Sequence, residues 1–302
     1  MWAVHRKKTW LQAFQTMRYF TTFQEGDFCM LRQVRSNKKI FAGPLCPGGQ
    51  RGTKEGVISH DCIIGKKPRS LIKLHNGIHM SSTYLDSVPR SIQKMHAVLL
   101  VQLLDLEPGH RVLEAGTGNG SLTLHLARAV AGRDGKVDTF DLKSEHARTA
   151  QRHVQRFSRG RYTSTVNFHV GSVGDALMAL NPSEYDGIAL DMPEPSEQIP
   201  KLLPFLRNDR FIVCYLPNMT QVLALGQFIE DLPLMMEDCL EVDWKEWEVR
   251  STQIRSRLKE DEKQLTPANA KAWICRPINF DVKGHTAFLV KLRKIDAVSK
   301  EE

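Results

Sequence analysis

The chain has 302 residues, of which 41% are hydrophobic and 25% charged, and this composition is that of a folded protein with a sizeable core. No apolar run approaches the roughly 20 residues of a membrane-spanning helix, so we expect no membrane partner. The six cysteines form no CxxC pair, which argues against a metal site, and the net charge of +8 suits a polyanionic partner such as nucleic acid.

The first 24 residues are basic and contain no Asp or Glu. In a helix, Trp10, Phe14 and Met17 would fall on one apolar stripe. A basic, acid-free, amphipathic segment is typical of a mitochondrial presequence, so we expect residues 1–24 to direct the protein to the mitochondrial matrix. The alternative is a basic arm that touches RNA or stays disordered.

Residues 25–80 contain short β-prone pieces separated by Gly, Pro and Lys, among them "GDFCMLRQV", "KKIFAG" and "GVISHDCIIG". Short strands with turn residues between them predict a small N-terminal β-rich domain.

From residue 81 to residue 296 the pattern changes to strands that alternate with helices. A helix over residues 91–106 is followed by the strand "RVLEAG", the helix "SLTLHLARAVA", the strand "KVDTFDL" and the helix "SEHARTAQRHVQRF". The strands "VNFHVG", "YDGIALDM" and "RFIVCYLP" follow, with the helices "EQIPKLLPFL" and "TQVLALGQFIEDL" around the last of them. This alternation predicts an α/β, doubly wound, mostly parallel sheet with helices on both faces.

Near the end of the chain, "CLEVDWKEWEVR" and "HTAFLVKLRK" are two alternating apolar runs that we expect to pair as antiparallel edge strands. The charged segment between them, "STQIRSRLKEDEKQLTPANAKAW", is expected to be an exposed loop. Residues 297–302 form a tail.

The stretch "VLEAGTGNGSLTLHLARAV" places Gly116, Gly118 and Gly120 between a strand and a helix. Three glycines in five residues are unfavourable unless the backbone must approach another group closely. The spacing G-x-G-x-G differs from the dinucleotide pattern G-x-G-x-x-G, and Glu114 precedes the first glycine as in loops that bind S-adenosylmethionine (SAM).

Two further carboxylates follow predicted strands. Asp141 lies 21 residues after Gly120, where an acidic residue can bind the ribose hydroxyls of an adenosine ligand, either SAM or NAD. Asp191 comes directly after the strand "YDGIAL", so we expect it to point into the ligand cleft at the carboxyl ends of the strands.

With these residues the chain resembles the tRNA adenine-58 N1-methyltransferases, the bacterial TrmI and eukaryotic Trm61-type catalytic subunits. The resemblance rests on "RGTKEGVISHDCIIGK", the glycine loop, "ALDMPEP" and "GHTAFLVKLRK". It implies a Rossmann-like SAM-dependent methyltransferase fold behind a small N-terminal β-rich domain, with tRNA as substrate. It also implies assembly as a homo-oligomer, a tetramer in the bacterial members, or as a hetero-oligomer with a non-catalytic paralogue.

The resemblance implies that Asp191 is catalytic and faces the target adenine. The residues that it places around SAM are Gln93, Glu114, Gly116, Gly118, Asn119, Gly120, Ser121, Leu122, Asp141, Ser172 and Asp191. Ser172 stands where the family commonly has an aspartate, with Asp175 out of register. His96 and Leu99 replace a tyrosine and an aspartate of the family.

The resemblance also covers positions outside the cofactor loop. Pro217 and Gln221 match an element that we interpret as structural, and His285 begins "HTAFL" near the expected mouth of the site. The candidates for phosphate contacts are Lys66, Lys67, Arg69, Arg250, Arg255 and Arg257.

Three functions remain open at this point. The first is a SAM-dependent N1-adenine methyltransferase acting on tRNA, or on a mitochondrial ribosomal RNA. The second is a non-catalytic RNA-binding paralogue, although such a chain would be expected to lose Asp191 and the glycines. The third is a protein carboxyl or small-molecule methyltransferase, which the basic charge and the N-terminal β-rich domain disfavour.

Overall fold

The structure is a computed structural model. It describes residues 22–33, 39–54, 56–73, 79–84, 94–180, 184–243, 245, 247–253, 271–277 and 284–295. The predictions made for residues 1–21, Gln93, Arg255, Arg257 and the tail lie outside the described residues.

The N-terminal part is rich in β-structure, as the sequence predicts. Its strands are β1 (Cys29–Gln33), β2 (Lys39–Ala42), β3 (Gln50–Thr53), β4 (Gly56–Ser59), β5 (Leu71–Lys73) and β6 (His79–Tyr84). Four of them form an antiparallel sheet in the order β2-β1-β6-β5, and β3 pairs with β4. Because β6 ends at Tyr84, this domain extends a few residues beyond the expected boundary at residue 80.

Phe23 belongs to the core of this domain. Its side chain is 1% exposed and packs in one cluster with Leu31 and Ile58. Its amide donates a hydrogen bond to the carbonyl of Lys66 at 2.9 Å. The last residues of the expected presequence, from Thr22 onward, are therefore part of the folded domain.

A seven-stranded sheet forms the centre of the second domain. Its strands are β7 (Arg111–Ala115), β8 (Lys136–Asp141), β9 (Val166–Val170), β10 (Tyr185–Leu190), β11 (Leu206–Leu216), β12 (Leu234–Glu241) and β15 (Phe288–Lys294). They lie in the order β9-β8-β7-β10-β11-β15-β12. Strand β15 runs in the opposite direction to the other six. The predicted doubly wound, mostly parallel sheet of the Rossmann-like type is thus confirmed.

Helices cover both faces of this sheet. They are α1 (Lys94–Leu103), α2 (Ser121–Val130), α3 (Ser144–Arg156), α4 (Val173–Leu180), α5 (Ile199–Leu202) and α6 (Met219–Phe228). The first three helices share one buried cluster with strand residues such as Val112 and Val213, and the last three share another with Leu113 and Ile212. Of the helices described, none has the length and apolar character to traverse a bilayer.

Helix α4 was missed in the sequence analysis, which ran directly from "VNFHVG" to "YDGIALDM". Its eight residues, VGDALMAL, bury Val173 and Leu177 against the sheet. A helix this short offers only two turns of apolar spacing, so its pattern is weak without the sheet beneath it.

The pairing expected near the C-terminus is correct only in part. The "CLE" of "CLEVDWKEWEVR" belongs to β12 and pairs with β15, with Cys239 opposite Val290. The "WEVR" instead starts β13 (Trp247–Gln253), which pairs with β14 (Lys271–Pro277) in a separate two-stranded sheet. The ends of the segment expected to be a loop are therefore strands.

Arg159 ties the two domains together. Its guanidinium donates hydrogen bonds to both carboxylate oxygens of Asp27, at 2.8 and 2.6 Å, and to the carbonyl of Thr22 at 3.1 Å. Ser158 and Arg159 both adopt positive φ, of 46° and 56°, which turns the loop after α3 toward the N-terminal domain. The β-rich domain is thereby held against the helix face that carries α3.

Candidate active site

The site lies at the switch point of the sheet. Strand β7 is flanked by β8 on one side and β10 on the other, so the connections that leave β7 and β10 diverge and open a crevice at their carboxyl ends. The glycine loop follows β7 and Asp191 follows β10. The structure therefore brings the two strongest motifs of the sequence to one place.

Gly116 is the closest point between these two motifs. A Cβ atom on Gly116 would lie 1.9 Å from the carbonyl oxygen of Asp191, and the backbone there has φ +101°. The amide of Gly116 donates to the carbonyl of Phe140 at 2.9 Å, and the amide of Asp191 donates to that of Ala115 at 2.9 Å. Only glycine fits this position, because three strand ends crowd around it.

The other two glycines have different roles. Gly120 is the N-cap of α2, and a Cβ there would lie 2.9 Å from Ala150 Cβ on α3, so this glycine lets two helices pack closely. A Cβ on Gly118 would meet nothing within 4 Å, and its amide points to Asp141. Gly118 is therefore the glycine whose surroundings leave room for a ligand.

Asp141, the last residue of β8, fastens the loop to its neighbouring strand. One oxygen, Oδ2, accepts from the amide of Gly118 at 2.9 Å and contacts His146 Nδ1 at 3.1 Å. The other, Oδ1, accepts from the amide of Lys143 at 2.8 Å. Oδ1, with this single donor, has a further lone pair, so the side chain can both fix the loop and accept a hydrogen bond from a ligand hydroxyl.

Glu114 lies beneath the loop and is completely buried. Its Oε2 accepts a hydrogen bond from the hydroxyl of Thr123 at 2.6 Å, whereas Oε1 has no hydrogen-bond partner among the described residues. Burial raises the pKa of Glu114 to about 8; the hydroxyls of Thr123 and Thr139 oppose this rise, and the charges of Asp191 and Asp141 add to it. The carboxyl is therefore shielded from solvent beneath the loop.

Asp191 is half-buried, and burial raises its pKa to about 6. At neutral pH it is therefore mostly ionised while sitting in a partly desolvated position, which suits a hydrogen-bond acceptor for a base. Burial raises the pKa of the Tyr215 phenol, and the charge of Asp191 adds to this rise. Tyr215 was missed in the sequence analysis, although its position near the carboxyl end of β11 could have indicated it.

His96 lies behind Tyr215. Its imidazole is fully buried and meets the Tyr215 ring edge-on, with 5.5 Å between the ring centroids. Its Nε2 lies 3.4 Å from the hydroxyl of Thr286, and burial lowers its pKa, although the Ala287 backbone and Glu241 oppose this. His96, which replaces a tyrosine of the family, is thus a neutral imidazole in the core next to the site.

His285 lines an open cavity of about 350 Å³ with Glu241, Asp243 and Gly284, at the same edge of the sheet. Its Nε2 donates to the carbonyl of Pro217 at 3.0 Å and its ring stacks on Phe288. These contacts anchor the loop before β15 to the end of β11.

The remaining predicted cofactor residues cluster around the loop. Asn119 Oδ1 accepts from the amide of Ser121 at 3.1 Å, and the Leu122 side chain packs in the core, so only its backbone faces the loop. Ser172 precedes α4 and follows Gly171, whose amide donates to the Asp141 carbonyl at 2.9 Å. These residues share one edge of the sheet.

Gln221 is structural, as expected. Its side chain accepts from the amide of Asn218 at 3.2 Å and completes a capping box at the start of α6.

Of the expected phosphate contacts, Lys66, Lys67, Arg69 and Arg250 are exposed. Arg250 also pairs with Glu248 at 2.6 Å. Within the part of the chain that the structure describes, no group of three His, Cys, Asp or Glu side chains is arranged to hold a metal ion.

Comparison with known proteins identifies close relatives. The family model described as "tRNA methyltransferase complex GCD14 subunit" matches residues 90–276. The tRNA (adenine(58)-N(1))-methyltransferase TrmI of Thermus thermophilus is 38% identical over 256 residues, which cover 82% of this chain and 89% of that protein. The tRNA (adenine(58)-N(1))-methyltransferase catalytic subunit TRM61 of Candida albicans is 28% identical, covering 79% of this chain and 73% of that subunit.

Two solved structures share the fold over nearly the whole chain. The tRNA (m1A58) methyltransferase TrmI of Aquifex aeolicus has a TM-score of 0.66 at 24% identity and covers 91% of this chain and 100% of its own. A SAM-dependent O-methyltransferase of Thermotoga maritima has a TM-score of 0.70 at 20% identity, with coverages of 93% and 97%. At these identities the structures support the fold alone.

Proposed function

Since this chain belongs to the family of tRNA adenine-58 N1-methyltransferases and uses S-adenosylmethionine, we propose that it methylates N1 of the T-loop adenine at position 58 of tRNA. The observation that carries this proposal is the meeting of Asp191 with the glycine loop at Gly116, in a chain 38% identical to a TrmI enzyme. The same observation disfavours a non-catalytic paralogue, because the loop and the carboxylate are both in place.

The glycine loop and its neighbours fit the cofactor. Gly118 leaves room above the loop, Asp141 has a lone pair on Oδ1 for a ribose hydroxyl, and Glu114 keeps an unpartnered oxygen among the described residues below it. We assign Asn119, Ser121 and Ser172 to the rim of this site; Gln93 is assigned from the sequence alone. When bound, the cofactor supplies an electrophilic methyl group on a sulfonium.

Asp191 acts on the adenine. Its carboxylate accepts a hydrogen bond from the N6 amine, which orients the base and raises the electron density at N1. Orientation of the two reactants can contribute roughly 7–11 kcal/mol to catalysis in well-aligned systems. The acceptor itself contributes about 10²–10⁴-fold, the range typical of such groups.

The tRNA must present its adenine outside the T loop. Flipping a base out of its stack costs a few kcal/mol, which contacts elsewhere on the RNA must offset. The exposed Lys66, Lys67 and Arg69 of the N-terminal domain are candidates for these phosphate contacts. A ribosomal RNA adenine in a similar loop would meet the same chemistry.

We also propose that the protein acts in the mitochondrial matrix. The support is the absence of Asp and Glu from the first 24 residues. Because Phe23 is a core residue, a cleavage that spares the domain would fall before Thr22. Import of the full chain into isolated mitochondria, followed by N-terminal sequencing of the protected product, tests both statements.

Self-association is the form of assembly that we propose. On the hairpin of β13 and β14, Trp247, Val249 and Trp273 share one face and are 51%, 62% and 72% exposed. The charged side chains Arg250 and Arg276 lie on the other face, where they pair with Glu248. Exposed apolar side chains gathered on one face favour packing against a second copy of the chain across a two-fold axis.

Light scattering during size-exclusion chromatography tests this assembly. The double variant Trp247→Ser, Trp273→Ser is expected to lower the mass to that of a smaller species. The control Leu223→Ser removes an apolar side chain of similar exposure, 63%, from α6 and should leave the mass unchanged. A monomeric parent protein would contradict self-association and favour a hetero-oligomer with a paralogue.

Methyl transfer from labelled SAM to an unmodified tRNA transcript tests the reaction. We expect label on the parent transcript and none on a transcript with guanine at position 58. The variant Asp191→Ala should lose activity. Asp175→Asn, at an exposed carboxylate on α4, should keep it. Equal labelling of both transcripts would contradict the assignment of adenine 58.

A further inference from the structure

Three acidic side chains converge where the glycine loop meets the sheet. Glu114 belongs to β7, Asp141 ends β8 and Asp191 follows β10, so the three adjacent strands each contribute one. The charges of Asp141 and Asp191 both act on Glu114 and oppose its ionisation. A cluster of this kind favours a ligand that carries positive charge.

Glu114 is the member that the reaction described above leaves unused. It is completely buried, and one of its oxygens has no hydrogen-bond partner among the described residues. The groups that face it are the hydroxyl of Thr123 on α2, the hydroxyl of Thr139 on β8, and the carboxylates of Asp141 and Asp191. Since no cation is among them, a charged carboxylate at this position is poorly compensated.

We propose that Glu114 carries a proton in the free protein and releases it to solvent when the cationic methyl donor binds. The sulfonium of S-adenosylmethionine brings a positive charge to the carboxyl cluster, and Glu114 then loses H⁺ and becomes a carboxylate. The demethylated product, S-adenosylhomocysteine, has a neutral thioether in place of the sulfonium. Glu114 therefore distinguishes donor from product by charge, and this inference rests on the proposed use of the cofactor.

The consequence is a pH-dependent preference for the donor. Burial raises the pKa of Glu114 to about 8, so in the free protein the group is protonated at pH 6 and titrates toward pH 8. A ligand that stabilises the carboxylate binds more tightly as pH rises through this range, by up to about tenfold per pH unit for one released proton. The affinity for the product, which lacks the sulfonium, should rise less over the same pH range.

Isothermal titration calorimetry measures directly whether a proton is released when the donor binds. At pH 7, binding of S-adenosylmethionine is measured in two buffers that differ in ionisation enthalpy, so that the slope gives the number of protons released. We expect close to one proton for the parent protein and close to none for Glu114→Gln. The variant Asp191→Asn should still release the proton, because Asp191, with a pKa of about 6, is already mostly ionised.

The affinity ratio of donor to product between pH 6 and pH 7.5 gives a second readout. In the parent protein this ratio should rise about tenfold, and in Glu114→Gln it should stay flat. The amino groups of the ligands titrate equally with both proteins, so the comparison removes their effect. Thr123→Val deletes the hydroxyl that favours the carboxylate and should move the pH profile upward.

The outcomes separate this inference from the proposed function. Binding of the donor without proton release, or release that persists in Glu114→Gln, would overturn the role of Glu114 and leave the methyltransferase assignment in place. Failure to bind the donor at any pH would overturn both. A Thr123→Val pH profile identical to that of the parent protein would show that the proton comes from another group.

Discussion

The substitution Gly116→Ala tests whether the glycine loop and the catalytic carboxylate depend on one close backbone contact. The added Cβ would lie 1.9 Å from the carbonyl oxygen of Asp191, whereas real Cβ contacts stay above 3.0 Å. The two backbones must therefore separate by at least 3.0 − 1.9 = 1.1 Å. A shift of about 1 Å at a reacting group typically costs about 10²-fold in rate.

We expect Gly116→Ala to lose at least about 100-fold in methyl transfer. The positive φ of +101° adds roughly 1–3 kcal/mol of backbone strain to any side chain at this position. The matched control is Gly26→Ala, which has φ +82° but no atom within 4 Å of the new Cβ. Gly26→Ala has a similar backbone strain but does not displace Asp191.

The assay measures initial rates at saturating tRNA, together with thermal unfolding of both variants. A fall in activity confined to Gly116→Ala, with both proteins folded at the assay temperature, would confirm the dependence. Folded Gly116→Ala with a rate within about fivefold of the parent would refute it, because Asp191 would then tolerate a displacement of about 1 Å.

Two further predictions follow from titratable groups. With a pKa of about 6, the Asp191 carboxylate accepts a hydrogen bond above that pH and is protonated below it, so kcat should fall as pH drops through 6. The variant Asp191→Asn should still bind the cofactor, but its kcat should be about 10²–10⁴-fold lower and should not fall further at acid pH. Asp138 accepts from His169, Asn167 and Arg111, and although burial alone would raise its pKa, these contacts lower it. The stability that Asp138 contributes is therefore complete above its unfolded pKa near 3.9 and declines as pH falls below that value. Asp138→Asn should lose about 3–5 kcal/mol in urea unfolding at pH 7 and show a weaker dependence on acid pH; an unchanged midpoint would contradict this network.

Much of the fold and the main site motifs could be predicted from the sequence because they depend on local patterns. Alternation of apolar strands and helices predicts a doubly wound sheet whatever the details of packing. In such a sheet, a loop after the first strand and a carboxylate after the fourth must meet at the same edge. The positions of Gly116 and Asp191 follow from this rule, and the structure confirms them.

The tertiary structure decided what depends on contacts between residues distant in the chain. The pairing of β13 with β14 and the burial of Phe23 have no local signature. Helix α4 is too short for its periodicity to stand out. Its burial against the sheet defines it.

Glu114 shows the difference between the two levels most clearly. The sequence by itself determined that an acidic residue precedes the glycine loop. Only the tertiary structure decided that it is fully buried, bonded through one oxygen to Thr123, and surrounded by other carboxylates rather than cations. Ionisation depends on the solvent and charges around a group, and these are set by the strands and helices that pack over it.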